Sequence, residues 1–147
     1  DRKGKGASML MLGAILMIVC HLSFALLLPA TQSSLVAYLG IILLGISFSL
    51  VPAALWPSVP KLVDSRLLGS AYAVIFWIQN IGLYSFPMII GSVLQSSNPG
   101  VENPLEYNYT VPMLVFASLG VFALFLGIWL KAEDKKKGYG LEEPNIK

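Results

Sequence analysis

The chain has 147 residues, of which 56% are hydrophobic and only 12% are charged, and its mean hydropathy is +0.72. A soluble domain carries about 25% charged residues. The charged residues of this chain are too few to form a water-facing surface, so its composition indicates a membrane protein. The formal net charge of +2 is too small to favour a nucleic-acid partner.

Four apolar segments follow one another along the chain, at residues 7–28, 35–59, 68–94 and 112–130. Each is close to the roughly 20 residues that a helix needs to cross the hydrocarbon core. None of them contains Lys, Arg, Asp or Glu. Because lipid offers no partner to free backbone groups, each segment is predicted to be a helix. We therefore predict an all-α, polytopic membrane protein with its four spans in residues 7–131.

Prolines and charged residues mark the ends of these segments. Pro29 and the polar run Thr31-Gln32-Ser33-Ser34 end the first segment. The second segment is separated from the third by Pro57, Pro60, Lys61, Asp64, Ser65 and Arg66. The residues after Lys131 are rich in charge and are expected to be mobile. The chain begins at Asp1 without a signal segment, so we expect it to lack its natural beginning.

The basic residues give the segments an orientation. All ten Lys and Arg lie before the first segment, between the second and third, or after the fourth. The loop before the fourth segment instead holds Glu102 and Glu106. If the chain crosses the membrane four times, all three basic regions lie on the same side of it. The positive-inside rule assigns this side to the cytosol. The loop at residues 1–6 and the tail at residues 132–147 are therefore both predicted to be cytosolic.

No combination of residues indicates an enzyme, a cofactor or a metal ion. His21 is the sole histidine, without a carboxylate or cysteine pair near it in sequence, so neither a metal site nor Ser/His/Asp catalysis is supported. An ionisable residue inside a span is a functional candidate by default. The favoured alternative is a neutral imidazole that hydrogen-bonds to a neighbouring helix. The spans contain no carboxylate, which argues against a proton relay within this chain.

The second and third segments carry the side chains that could line a cavity. Gln79 and Asn80 lie near mid-span and cannot face lipid without a free-energy cost, so they are expected to face protein or water. Trp56, Trp77 and Tyr84 could add ring faces and polar tips. We select Trp56, Gln79, Asn80 and Tyr84 as substrate-cavity candidates, with ordinary helix packing as the alternative. The first and fourth segments are mostly aliphatic, which suits outer positions in contact with lipid.

The triplet Asn108-Tyr109-Thr110 forms an N-glycosylation sequon in the second non-cytosolic loop. Asn108 is therefore a glycosylation candidate. Its position just before the segment that starts at Pro112 disfavours access by the transferase, so an unmodified Asn108 is the alternative.

Residues 1–5 read D-R-K-G-K and resemble the end of the short cytosolic signature of the major facilitator superfamily. Gly6 departs from that signature, which usually has a second basic residue at this position. The resemblance implies that Asp1, Arg2 and Lys5 help to latch the cytosolic face.

Residues 44–57 and 68–82 are similar to the tenth and eleventh helices of the same superfamily. The resemblance implies a twelve-helix fold of two six-helix halves, in which the four segments are helices nine to twelve. Helices ten and eleven would line the cavity, and helices nine and twelve would be peripheral.

The resemblance is to a lysosomal branch of the superfamily. It implies uniport of dipeptides out of the lysosome by alternating access, contact with membrane lipid, and a glycosylated lysosomal membrane accessory protein. The residues leave open a carrier of a sugar or organic anion, a scaffold with four spans that transports nothing, and a location in the plasma membrane.

Overall fold

The computed structural model describes residues 4–144 and contains four long helices. They are α1 at Gly6–Thr31, α2 at Ser34–Leu62, α3 at Leu68–Ser97 and α4 at Thr110–Lys137. Turns of 3-10 helix at Ser65–Leu67 and Pro104–Glu106 precede α3 and α4. Each long helix has the length and apolar composition to cross a membrane, so the predicted all-α fold with four candidate spans is confirmed.

The first two helices end within the predicted breaks, but they run through the prolines that lie there. α1 contains Pro29 and ends only before Gln32, which has a left-handed φ of 47°. A π-helical turn at Ser23–Leu27 shifts the hydrogen-bond ladder ahead of this proline, which lets the helix pass it. α2 likewise continues past Pro57 and Pro60. α1 thus ends at the start of the polar run Thr31-Gln32-Ser33-Ser34, and α2 ends at Leu62, between Pro57 and Arg66.

α1 lies between α2 and α4, where small residues let the backbones approach closely. Ser47 of α2 is fully buried and donates a hydrogen bond of 2.8 Å to the Gly13 carbonyl of α1. On the other side of α1, a Cβ placed on Gly120 of α4 would lie 2.7 Å from Ile18 Cγ1. We expected an outer position for the first span, yet α1 is the most enclosed helix of this chain. The reason is that small residues fit it against two neighbours.

α3 is the least enclosed of the four helices, and none of its described residues is buried. It meets α2 through the rings of Trp56 and Tyr72. It meets α4 near Phe116, and at its end Asn98 hydrogen-bonds to the backbone of Asn108. Much of the α3 surface therefore has no neighbour among residues 4–144.

The region after the fourth predicted segment packs against the rest of the chain, although its many charged residues predicted a mobile tail. α4 continues to Lys137, where Glu133 and Lys137 form an ion pair of 3.0 Å one turn apart. The hydrogen bond and the charge of Lys137 lower the pKa of the Glu133 carboxyl. Gly138, with a left-handed φ of 67°, ends the helix. The following residues fold back onto α1 with Leu141 fully buried, so the expectation of a free charged tail differs from the structure.

Candidate functional site

Trp56 is half-buried and packs against α3. Its ring stacks on Phe76 with the centroids 5.1 Å apart, and it tilts against Tyr72 at 5.7 Å. The Tyr72 hydroxyl also donates a hydrogen bond of 3.3 Å to the Trp56 backbone carbonyl. This carbonyl lies four residues before Pro60, which has no N–H to give to it. Tyr72 therefore replaces the helical hydrogen bond that Pro60 cannot make, and it joins α2 to α3.

The Tyr72→Phe substitution should lower the free energy of unfolding by about 1 kcal/mol, because the Trp56 carbonyl loses its donor. In a Pro60→Ala background the backbone N–H of residue 60 can donate to the Trp56 carbonyl instead. The loss of unfolding free energy caused by Tyr72→Phe should then fall close to zero. Denaturant unfolding in detergent measures all four proteins of this cycle. Tyr84→Phe is the control, since the Tyr84 hydroxyl has no hydrogen-bond partner in residues 4–144. An equal cost in both backgrounds would contradict this role of Tyr72.

Gln79 lies beside a groove between α3 and α4. The groove has a volume of about 430 Å³, and its other lining residues are Gly82, Leu83, Phe86, Pro87, Ile90 and Phe116. The Gln79 amide has no hydrogen-bond partner within residues 4–144. Inside a membrane such an amide needs a partner from water, from a bound molecule or from another helix.

Asn80 and Tyr84 lie on a different side of α3, together with Trp77. The three positions are spaced by three and four residues, which places them along one side of the helix. Trp77 and Tyr84 are 67% and 74% exposed, and Asn80 is exposed too. The Asn80 Nδ2 atom donates a hydrogen bond of 2.7 Å to the Phe76 carbonyl, which leaves the amide oxygen as an acceptor. Trp77, Asn80 and Tyr84 are called the α3 outer face below.

The structure divides the four selected cavity residues into two groups. Asn80 and Tyr84 are exposed and outside the groove, whereas Trp56 packs on α3 and Gln79, also exposed, lines the groove toward α4. Neighbouring helix positions differ by about 100°, and only Gln79 of the two lines the groove between α3 and α4. The assignment of all four residues to a substrate cavity stays a prediction. Trp77 was not among the selected residues, although its helical spacing from Asn80 and Tyr84 would have included it.

His21 lies among apolar side chains on α1, away from the α3 outer face. Its Nδ1 atom lies 2.8 Å from the Met17 carbonyl in the same helix, so Nδ1 is the donor. Its ring packs on Phe116 of α4 with the centroids 5.2 Å apart, beside an apolar cavity of about 510 Å³. The expected hydrogen bond to a neighbouring helix is therefore wrong in the described part of the chain, because the bond stays within α1.

Two of the three predicted latch residues, Asp1 and Arg2, lie outside the described residues. Lys5 is exposed at the start of α1 and has a left-handed φ of 67°. The latch stays a prediction. Across residues 4–144, no group of three His, Cys, Asp or Glu side chains is placed to hold a metal ion.

Asn108 is exposed at the opposite end of the bundle, just before α4. Its side-chain oxygen accepts a hydrogen bond of 2.9 Å from the Thr110 N–H. The Asn98 side chain makes two hydrogen bonds to the Asn108 backbone. Its Oδ1 atom accepts one of 2.7 Å from the Asn108 N–H, and its Nδ2 atom donates one of 3.2 Å to the Asn108 carbonyl. Glycosylation of Asn108 stays a prediction.

Comparison with known proteins gives partial matches. The chain is 34% identical over 96 residues to the lysosomal dipeptide transporter MFSD1 of Danio rerio, and 34% identical over 98 residues to that of Homo sapiens. These matches cover 64% and 65% of this chain but 19% of each relative. The Mus musculus protein is 41% identical over 59 residues, which are 40% of this chain and 13% of that protein.

The chain thus spans about a fifth of the length of the curated relatives it matches. No family model matches the chain, and no solved structure matches it. The sequence match and the four candidate membrane spans agree with each other, since both describe a multi-pass membrane protein. The chain is therefore homologous, over 65% of its length, to one part of the lysosomal dipeptide transporter MFSD1, a protein of the major facilitator superfamily.

Proposed function

We propose that the chain forms helices nine to twelve of a twelve-helix major facilitator carrier, which moves dipeptides out of the lysosome by facilitated alternating access. The observation that carries the proposal is the partial match to lysosomal dipeptide transporters. The α3 outer face supports it, because these side chains lie in the middle of a candidate span and are mostly uncovered by residues 4–144.

The chemistry of the α3 outer face suits the side chains of a small peptide. The rings of Trp77 and Tyr84 offer apolar faces, and the Tyr84 hydroxyl and the Asn80 amide oxygen offer polar atoms. Binding sites for small molecules combine such apolar walls with a few polar groups. The outer face carries no charge, so the charged termini of a dipeptide would bind to helices from the rest of the carrier.

The small number of contacts between α3 and the other helices suits a carrier that opens to alternate sides of the membrane. Carriers of this kind work by rocking one bundle against another around a site near the midplane. Pro87 lies inside α3 and Pro52 inside α2, and each removes a backbone hydrogen bond and permits a bend. α3 could therefore adjust around a substrate while α1 remains packed between α2 and α4.

The remaining assignments follow from the same proposal. The two ends of the chain lie in the cytosol, where Asp1, Arg2 and Lys5 help to latch the carrier. Asn108 lies on the lumenal side and is a candidate glycan acceptor. The carrier resides in the lysosomal membrane and associates with a glycosylated membrane accessory protein.

Uptake by the purified full-length protein in proteoliposomes tests the proposed substrate. Vesicles loaded with an unlabelled dipeptide should accumulate a labelled one by exchange, and unlabelled dipeptides should compete. Glucose and an organic anion such as lactate should not compete at the same concentration. Exchange of the sugar or the anion without exchange of the dipeptide would overturn the substrate, and the absence of any exchange would favour a scaffold.

A further inference from the structure

The segment after α4 turns back and binds to the start of α1. Left-handed φ angles of 67° at Gly138 and 75° at Gly140 allow the reversal. Leu141 is fully buried, and its N–H donates a hydrogen bond of 3.1 Å to the Asp134 carboxylate. The Leu141 carbonyl accepts a hydrogen bond of 2.9 Å from the Gly6 N–H of α1. The segment is thus anchored to α4 on one side and to α1 on the other.

Glu142 supplies the cap that α1 lacks. The N-cap residue Lys5 makes no capping hydrogen bond with its side chain, and the first turn of α1 has no acidic residue. The Glu142 carboxylate accepts hydrogen bonds of 2.8 Å from both the N–H and the hydroxyl of Ser8. The Glu142 carbonyl accepts another of 3.1 Å from the Lys5 N–H. Helix starts leave such N–H groups unpaired, and their dipole favours a negative charge there.

Two lysines tie the same segment to α2 and α4. Lys61, near the end of α2, donates from Nζ to the Gly140 carbonyl at 2.9 Å and also to the Glu143 carbonyl. Lys131 of α4 donates to the Ser8 hydroxyl at 2.6 Å, and its Nζ lies 4.0 Å from the Glu142 carboxylate. All the hydrogen bonds described here run to α1, α2 or α4.

We propose that residues 138–143 form a clasp, which supplies the N-terminal cap of α1 and holds the ends of α1, α2 and α4 together so that these three helices move as one body. The clasp lies at the end of the bundle where the lysines gather, opposite the loop that holds Asn108. α3 remains outside this tie, which is consistent with its few contacts. The clasp does not depend on the proposed substrate, because its evidence is the packing of this chain alone.

Hydrogen exchange of the full-length protein in nanodiscs tests the capping role. Glu142→Ala should raise the exchange rate of the amides in residues 5–8 by about tenfold, since the Ser8 N–H loses its acceptor and the helix start frays. Glu143→Ala is the matched control, because it removes the same charge from the adjacent residue, whose side chain accepts no hydrogen bond in residues 4–144. That control should stay within about twofold of the unaltered protein. Equal rates for the two variants would overturn the cap.

A second pair of measurements covers the case in which Glu142→Ala fails to fold. Ser8→Ala removes only the hydroxyl and should raise exchange in residues 5–8 by about threefold, and an unchanged rate would contradict the role of Ser8. Spin labels at Leu62→Cys and Lys135→Cys, in a background without reactive native cysteines, report the distance between the ends of α2 and α4. The distribution should broaden with Lys61→Met, which removes the hydrogen bonds from α2 to the Gly140 and Glu143 carbonyls, and not with Glu143→Ala. Equal widths would overturn the movement of the three helices as one body.

Discussion

Gly120→Leu is expected to lower the free energy of unfolding by about 3 kcal/mol, because it forces a large side chain into the contact between α1 and α4. A Cβ at this position would already lie 2.7 Å from Ile18 Cγ1, and it would also lie 3.5 Å from the Ile18 backbone nitrogen and 3.6 Å from the Ala14 carbonyl. The side chain of Ile18 can move, but the α1 backbone cannot do so without separating the two helices. Small residues at such contacts are what allow membrane helices to approach.

Ser118→Leu is the control for this substitution. Ser118 lies on the same helix and is exposed, and its hydroxyl donates only to the Val115 carbonyl of its own helix. It also converts a small residue to leucine, so the two variants differ mainly in which side of α4 they enlarge. Unfolding of both proteins in graded denaturant in detergent gives the comparison. A loss at Ser118 as large as the loss at Gly120 would contradict the packing of α4 on α1.

Alanine at Trp77 or Tyr84 is expected to reduce dipeptide transport by about tenfold in kcat/KM, since each substitution removes a ring from the proposed substrate pathway. The folding of the protein should be nearly unchanged, because both side chains are mostly exposed and pack against little in this chain. Uptake into proteoliposomes, normalised to the amount of inserted protein, measures the effect.

Phe122→Ala and Phe125→Ala are the matched controls for these variants. Both rings are on α4 and are 61% and 63% exposed, which is close to the values for the α3 outer face. Exposure alone therefore cannot explain a difference between the two helices. Transport by the α4 variants should stay within about twofold of the unaltered protein. A tenfold loss in all four variants would indicate a general requirement for surface aromatic residues and would contradict a pathway on α3.

The helical fold was predictable because its cause is local. Four uncharged segments of sufficient length must form helices in lipid, and no distant contact is needed to decide this. The helix ends were less predictable, because Pro29 and Pro60 lie within helices whose backbone hydrogen bonds are rearranged. At Pro60 the compensating donor comes from Tyr72 on the next helix. A pattern of prolines alone cannot show that such a donor exists.

The candidate site was only partly predictable for a related reason. The sequence alone identifies Gln79 and Asn80 as polar residues near the middle of a span. Which of the two side chains faces a neighbouring helix depends on where α4 packs against α3. Helical spacing alone is enough to link Trp77 to Asn80 and Tyr84. The clasp was not predictable, because Leu141 and Glu142 stand in a charged segment and bind to residues more than 130 positions earlier.

Accessibility of single cysteines in the full-length protein tests the central claim most directly, which is that the α3 outer face borders a water-filled substrate pathway. Cysteine is placed at Trp77, Asn80 or Tyr84, and at Phe122 or Phe125 for comparison, in a background without reactive native cysteines. A charged, membrane-impermeant thiol reagent should modify the three α3 positions, and a dipeptide should slow that modification. The two α4 positions should not react. Labelling on α3 that is no faster than on α4, or that a dipeptide leaves unchanged, would contradict the account.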